Sequence, residues 1–264
     1  MKIWHLLALG LFLTACTTTK KSLRDHQGTY LESVKLNFLA GEESLKKQDF
    51  EKAIAYFQFV RSKYPFSQFA ALSDLKIADT KYAQKKWLDA AAAYEIFIRL
   101  HPRHEQVSYA SFRLGASYFY AIPSDFFLWP NSASRDQSFT KEALSALQRF
   151  IYQFPESNYQ EEASRMQAEL FSKLAKANQY VAAYYQRRNR HEAALARYLS
   201  INELYPEAKE AADSLFKAAH IAQYDLKDLD RAREIYSQLI EQKPTSSFVE
   251  KAQQELDKLA ETQE

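Results

Sequence analysis

Five of the seven prolines in this 264-residue chain follow one spacing rule, which constrains the fold more than any other feature. An alanine lies twelve residues before each of them, and large apolar residues follow that alanine after four and after seven residues. The alanines are Ala53, Ala90, Ala143, Ala194 and Ala232, and the prolines are Pro65, Pro102, Pro155, Pro206 and Pro244. Positions i, i+4 and i+7 share one face of a helix, and proline ends a helix because it lacks an N–H group. The rule therefore predicts five amphipathic helices that each end at a proline.

A small residue lies twelve residues before most of these alanines, which predicts a second helix in each unit. Gly41, Ala78 and Ala182 occupy that position, Gly115 does so if sixteen inserted residues are allowed for, and His220 is the exception. A small residue that faces an alanine on the next helix lets the two helices approach closely. A helix-turn-helix with small residues at the crossing and a proline at its end is the tetratricopeptide-repeat (TPR) pattern. We expect an all-α TPR solenoid of about five units.

The proline spacing also predicts the domain organisation. We expect the repeats to fill residues 29–264, and the predicted units are 29–66, 67–103, 104–157 with an insert at 121–138, 158–207 and 208–264. The fourth unit is long because residues 160–188 contain no helix breaker, which predicts an extended first helix there.

The N-terminus predicts an exported, lipid-anchored protein. Residues 3–13 are apolar but too few to span a bilayer, which needs roughly 20 residues. A short apolar run after a basic start is typical of a signal peptide, here residues 1–15. The sequence Leu13-Thr14-Ala15-Cys16 resembles the bacterial lipobox and contains the only cysteine of the chain. The resemblance implies S-diacylglycerol and an N-acyl chain on Cys16, a tether at 16–28, and a place on the periplasmic face of the outer membrane of a Gram-negative bacterium.

Composition and failed motifs argue against several other functions. Four glycines form no phosphate-binding loop, one cysteine forms no intrachain disulfide, and a net charge of +2 gives no indication of nucleic-acid binding. His191-Glu192 begins like a zinc-protease motif, but Leu195 stands where the second histidine is needed. His101 and His104 lie on either side of a proline, and Asp225, Asp228 and Asp230 lack the glycine and glutamate of a calcium loop. We therefore expect no enzyme, no metal and no cofactor besides the covalent lipid.

A basic run, 187–191, leaves two interpretations open. It is either a solvated turn or a contact for an acidic partner or a lipid headgroup.

Several short segments, spread over nearly the whole chain, resemble the BamD family of outer-membrane β-barrel assembly lipoproteins. They are Tyr64-Pro65-Phe66-Ser67, residues 97–104, Arg135-Asp136-Gln137, residues 154–159 and residues 181–185. The insert, with its apolar residues 126–129, and the helical C-terminus depart from the family pattern. Contacts made by those two parts are not implied by the resemblance.

The resemblance implies a scaffold that docks on the POTRA domains of the barrel-assembly protein, alongside other lipoproteins of the complex. It also implies delivery of unfolded outer-membrane proteins, whose C-terminal signals would meet Tyr64 and Phe66. Arg197 matches a family arginine and would face the POTRA domain. From the residues alone, Phe66 is either exposed or packed onto the second unit, and Arg135 and Asp136 either have a role in binding or cap a helix. The alternative function is a TPR lipoprotein scaffold of a cell-wall or polysaccharide-export complex.

Overall fold

The computed structural model describes residues 30–123 and 136–261, and in these ranges it contains eleven α-helices and no β-strand. The first six helices are α1 (Tyr30–Lys46), α2 (Phe50–Lys63), α3 (Gln68–Ala83), α4 (Trp87–Leu100), α5 (Val107–Ala121) and α6 (Ser138–Gln153). The others are α7 (Gln160–Arg187), α8 (His191–Leu204), α9 (Glu210–His220), α10 (Leu229–Gln242) and α11 (Val249–Glu261), with a π-helix at Ile221–Leu226 after α9. The predicted signal peptide and tether, and the insert residues 124–135, lie outside the described residues.

The helices form an array of antiparallel pairs. Each helix packs on the next along the chain, and α1 also contacts α3, α5 contacts α7, and α7 contacts α9. Within the described chain, no comparable contact joins the second helices of successive pairs. The first helices therefore form the inner layer of a curved stack, which confirms the predicted all-α TPR solenoid.

The repeated apolar face is the core of this array. The five alanines of the spacing rule are all fully buried. The side chains four and seven residues after them are also buried: Phe57, Tyr94, Leu147, Tyr198 and Tyr236, and then Val60, Phe97, Phe150, Ile201 and Leu239. Each second helix ends two residues before its proline, as the spacing predicts. Burial of each large side chain stabilises the fold by about 1.5–3 kcal/mol. The repeat pattern supplies eight of the twelve largest fully buried side chains among the described residues.

The helix crossings differ from the expectation in which residue faces the glycine. An added Cβ at Gly41 would lie 2.7 Å from the ring of Phe57, and one at Gly115 would lie 2.7 Å from Leu147 Cδ2. The glycines therefore make room for the large residue four positions after the alanine, rather than meeting the alanine itself. Close approach is achieved as predicted, but through a different partner.

The turn between the two helices of a unit contains a residue in the left-handed conformation. Gln48, Lys85, Asn189 and Lys227 have φ between 57° and 59°, and each lies five residues before the buried alanine of its unit. None of them is a glycine, so these turns are strained by about 1–2 kcal/mol each relative to glycine. The shared offset shows that the four turns have one geometry.

His220 breaks the spacing rule because the helix changes type directly after it. The π-helix at Ile221–Leu226 accommodates one extra residue, which moves the small buried position from residue 220 to Ala219. The last helix, α11, packs on α10 and is tied to the π-helix by Glu255, whose Oε2 accepts hydrogen bonds from Tyr224 (2.7 Å) and Gln223 (3.2 Å).

Across 30–123 and 136–261, none of the helices combines the length and the apolar character needed to cross a membrane.

Candidate functional site

A polar–aromatic network joins α3, α4 and α5 in the N-terminal half of the array. Asp79 on α3 accepts hydrogen bonds from the hydroxyl of Tyr94 at 2.7 Å and from that of Tyr109 at 2.9 Å. Burial and the nearby Asp79 carboxylate raise the pKa of Tyr109 to about 12, and the same two causes raise the pKa of Tyr94 further. Both phenols are therefore neutral donors at any physiological pH, and the carboxylate is held by two fixed hydrogen bonds.

Arg113 extends this network along the inner layer. Its Nε donates to the Tyr109 hydroxyl at 3.1 Å, and its guanidinium lies 4.4 Å from the ring centroid of Tyr82. Its remaining N–H groups have no carboxylate partner within the described chain. A guanidinium held by aromatic rings and lacking a counter-ion can pair with a carboxylate of a bound chain.

Aromatic side chains continue from Tyr82 towards solvent. Its ring contacts Trp87 at 5.0 Å and Tyr120 at 6.3 Å, and the latter two rings are 5.3 Å apart. Tyr120 is 45% exposed. Exposed aromatic side chains beside a charged group are typical of protein-binding surfaces.

The turn after α2 contains the two residues that the family resemblance connects with substrate. Tyr64 is buried, with its ring edge-on to Tyr30 at 5.0 Å, and its carbonyl accepts a hydrogen bond from the Ser67 hydroxyl at 2.9 Å. Phe66, by contrast, is 98% exposed. The structure therefore favours exposure over packing for Phe66, and it gives Tyr64 the role of holding the turn rather than that of a surface contact.

Arg197 lies on α8, away from the N-terminal network. Its side chain is exposed and forms no ion pair with any described residue. The buried face of α8 consists of other residues: Ala194, Leu195, Tyr198, Ile201 and Asn202. Arg197 is therefore available to an external carboxylate, at a distance along the array from Phe66.

The remaining predicted residues fall into two groups. Cys16 and Arg135 lie outside the described residues. Asp136 accepts hydrogen bonds from the Ser138 N–H (3.1 Å) and hydroxyl (2.7 Å) at the start of α6, and these bonds lower its pKa. Asp136 therefore satisfies an N–H group at the start of α6 from the position before the N-cap residue Gln137, which favours the predicted helix-terminus interpretation over a role in binding.

The histidines of the incomplete metal motifs have carboxylate neighbours. His191 Nδ1 lies 3.2 Å from Asp225, and His101 Nε2 lies 3.1 Å from Asp74. No group of three side chains that could hold a metal ion occurs in the described part of the chain.

The network around Arg113 is only weakly marked in the sequence. Its available signals were the i, i+4 pair of Tyr109 and Arg113 on one predicted helix and an acidic residue, Asp79, fifteen residues before a core tyrosine. Neither signal is specific without the packing of α3 against α5.

A family model matches most of this chain. The sequence model of a family described as "YfiO: Outer membrane lipoprotein" matches residues 32–234. The chain belongs to this family. Its matched region begins in α1 and ends in the first half of α10, so it does not reach α11.

The individual relatives carry one common name. "Outer membrane protein assembly factor BamD" of Neisseria gonorrhoeae is 29% identical over 81% of this chain and 81% of its own length. The protein of that name from Vibrio cholerae is 26% identical over 80% of this chain and 85% of its own. Among solved structures, the "TPR2AB-domain:pHSP90-complex of yeast Sti1" matches 81% of this chain and 78% of that chain, with 14% identity and a TM-score of 0.39.

Proposed function

We propose that this protein is a non-enzymatic scaffold subunit of the outer-membrane β-barrel assembly complex. The observation that carries the proposal is the family match over residues 32–234, together with relatives named as outer membrane protein assembly factors. A TPR array suits this role because each helix pair adds surface for a partner without needing a catalytic centre.

The proposed anchor is a lipid on Cys16, at the periplasmic face of the outer membrane. The proposed partners are the barrel-assembly protein with POTRA domains, other lipoproteins of the complex and unfolded outer-membrane proteins. Arg197 is proposed to pair with a carboxylate of a POTRA domain, which is supported by its exposure and its lack of an ion pair within the described chain.

The proposed substrate contact lies in the N-terminal units. Phe66 offers an almost fully exposed ring, and Tyr64 positions that ring by packing the turn onto α1. Arg113 offers a cation to the carboxylates of a bound segment. An extended chain that ends in an aromatic residue carries both groups that these side chains recognise.

Affinity purification of the tagged, full-length protein from mildly solubilised membranes tests the proposal. We expect a POTRA-bearing barrel protein to co-purify with the parent and with an Arg165→Glu control, which changes an exposed arginine on α7 that forms no ion pair with a described residue. Arg197→Glu should reduce the recovered partner at least tenfold, because a charge reversal at a close ion pair costs more than 1.4 kcal/mol. Recovery of a cell-wall or polysaccharide-export complex instead would support the alternative scaffold function.

Substrate contact is tested separately with labelled peptides that end in phenylalanine. Phe66→Ala should weaken their binding, whereas Tyr152→Ala should not, although Tyr152 is also almost fully exposed. Equal effects of the two changes would contradict a specific role for the turn after α2.

A further inference from the structure

Unpaired positive charge is concentrated on one edge of the array. The turns between the first and second helix of units one, two, four and five lie at residues 46–49, 84–86, 187–190 and 226–228, and together they form what we call the basic edge. Seven cationic side chains on it form no ion pair with any described residue: Lys46, Lys85, Lys86, Arg187, Arg188, Arg190 and Lys227. The whole chain has a net charge of only +2, so this excess is local.

The acidic groups on the same edge do not cancel this charge. Asp225 is 3.2 Å from His191, and Asp228 accepts a hydrogen bond from the Arg231 N–H at the start of α10. Asp49 and Asp89 remain as single carboxylates beside the first two turns. The seven cations outnumber these four carboxylates, so the basic edge carries a net positive charge.

Antiparallel pairing places these turns on one side of the molecule. The first helices all run towards this side, and contacts join neighbouring turns in two places: Trp87 at the second turn lies 5.3 Å from Tyr120 at the end of α5. The ion pair of Arg231 with Glu192, 3.1 Å, likewise joins the fourth turn to the fifth. The opposite edge carries the five prolines of the spacing rule.

Amphipathic aromatic side chains accompany the charges. Tyr120 and Tyr184 are partly exposed, Trp87 is half-buried, and Leu88 beside it is exposed. The Arg188 guanidinium lies 4.9 Å from the ring centroid of Tyr184. Tryptophan and tyrosine mixed with lysine and arginine is the composition of surfaces that lie at the membrane–water interface.

One further fact favours a lipid surface over an acidic protein. The proposed acylated residue, Cys16, is fourteen residues before Tyr30, which limits their separation to about 50 Å. Helix α1 has 17 residues and spans about 25 Å, so the basic edge at its end is within reach of the bilayer.

We infer that the basic edge seats on the surface of the membrane that carries the anchor. Lysine and arginine side chains lie at anionic phospholipid headgroups, and Trp87, Tyr120 and Tyr184 lie in the interfacial zone. Only the closeness of the basic edge to the bilayer rests on the proposed anchor at Cys16, since the charge and the aromatic content are properties of the edge itself.

The test is vesicle flotation of the purified chain from residue 16 onward with Cys16→Ser, which keeps every described helix and cannot be acylated. We expect binding to vesicles of phosphatidylcholine with phosphatidylglycerol, little binding to phosphatidylcholine alone, and release by salt. The double variant Lys85→Gln/Lys86→Gln should lower the partition coefficient about 25-fold, because each basic side chain contributes a factor of about five. The matched control, Arg103→Gln/Lys209→Gln, removes two exposed cations of the proline edge that form no ion pair with a described residue, and it should bind like the parent.

Every outcome decides the inference. Equal binding of the two double variants, with circular dichroism confirming that both are folded, would overturn it. A folded parent chain that does not bind anionic vesicles would also overturn it. In that case, loss of partners on Lys85→Gln/Lys86→Gln in the separate affinity purification would assign the edge to an acidic protein. Because the assay contains no partner protein and no acyl chain, its result is independent of whether the scaffold proposal holds.

Discussion

Replacing Gly115 by alanine should destabilise the third helix pair, although alanine is the better helix former. The added Cβ would lie 2.7 Å from Leu147 Cδ2 and 2.8 Å from Leu147 Cγ, and Leu147 is fully buried. Overpacking of this kind costs about 1–3 kcal/mol, while the change from glycine to alanine in a helix returns about 0.5–1 kcal/mol. We expect the free energy of unfolding to fall by about 1–2 kcal/mol, which corresponds to a melting temperature lower by about 3–6 °C.

A double-mutant cycle gives this prediction its control. Leu147→Ala alone should cost about 2–5 kcal/mol because it leaves a cavity. In that background both side-chain clashes are absent and only the 3.3 Å approach to the Leu147 backbone nitrogen remains, so Gly115→Ala should cost clearly less than in the parent. Urea unfolding of the four proteins measures both effects. If Gly115→Ala were neutral or stabilising in the parent, the close approach of α5 and α6 would not depend on this glycine.

Three further predictions concern the turns, the C-terminal helix and the inner network. Lys227→Gly should increase the free energy of unfolding by about 1 kcal/mol, measured by urea unfolding, because glycine adopts the left-handed φ of 59° without strain. Lys227→Ala should give no such increase, and an increase from both changes would contradict this explanation. Burial favours protonation of Glu255, but hydrogen bonds from Lys258, Tyr224 and Gln223 outweigh burial and lower the pKa of Glu255. The ionised Glu255 therefore stabilises the fold above the unfolded-state pKa of about 4.3, and this stabilisation disappears as the pH falls through the folded-state pKa. Glu255→Gln should therefore flatten the fall in melting temperature between about pH 5 and 3, and an unchanged acid profile would refute this. Asp79→Ala leaves two phenols without their acceptor and should cost about 2–4 kcal/mol, while Asp79→Asn should cost less in the same unfolding assay; equal losses would contradict the role of the hydrogen bonds.

The helices were predictable because each is specified by residues close together in sequence. Ala53, Phe57 and Val60 lie on one face of one helix, and Pro65 ends it, so no tertiary information is needed to place them. Because that motif recurs, the array follows from the sequence as well.

The turns and the π-helix could not be predicted in the same way. Left-handed turns usually reveal themselves through glycine, but here Gln48 and Lys85 adopt that conformation because helices on both sides fix the chain. The π-helix depends on the packing of α9 against its neighbours, and its only trace in the sequence was that His220 broke the spacing rule.

The candidate site was predictable only in part. The resemblance pointed to the turn at Phe66, but exposure is decided by the surroundings of a side chain, and its neighbour Tyr64 is buried against Tyr30. Arg113 could not be identified from the sequence, because its two distinguishing features depend on the fold. Tyr82, from another helix, lies over the Arg113 guanidinium, and no described carboxylate pairs with that guanidinium.

Direct binding of the purified chain to a soluble string of POTRA domains tests the central claim most directly. The proposed scaffold role predicts a saturable one-to-one complex by isothermal titration calorimetry, weakened at least tenfold by Arg197→Glu and unchanged by Arg165→Glu. Absence of binding by the folded parent chain, or equal weakening by the two reversals, would contradict it.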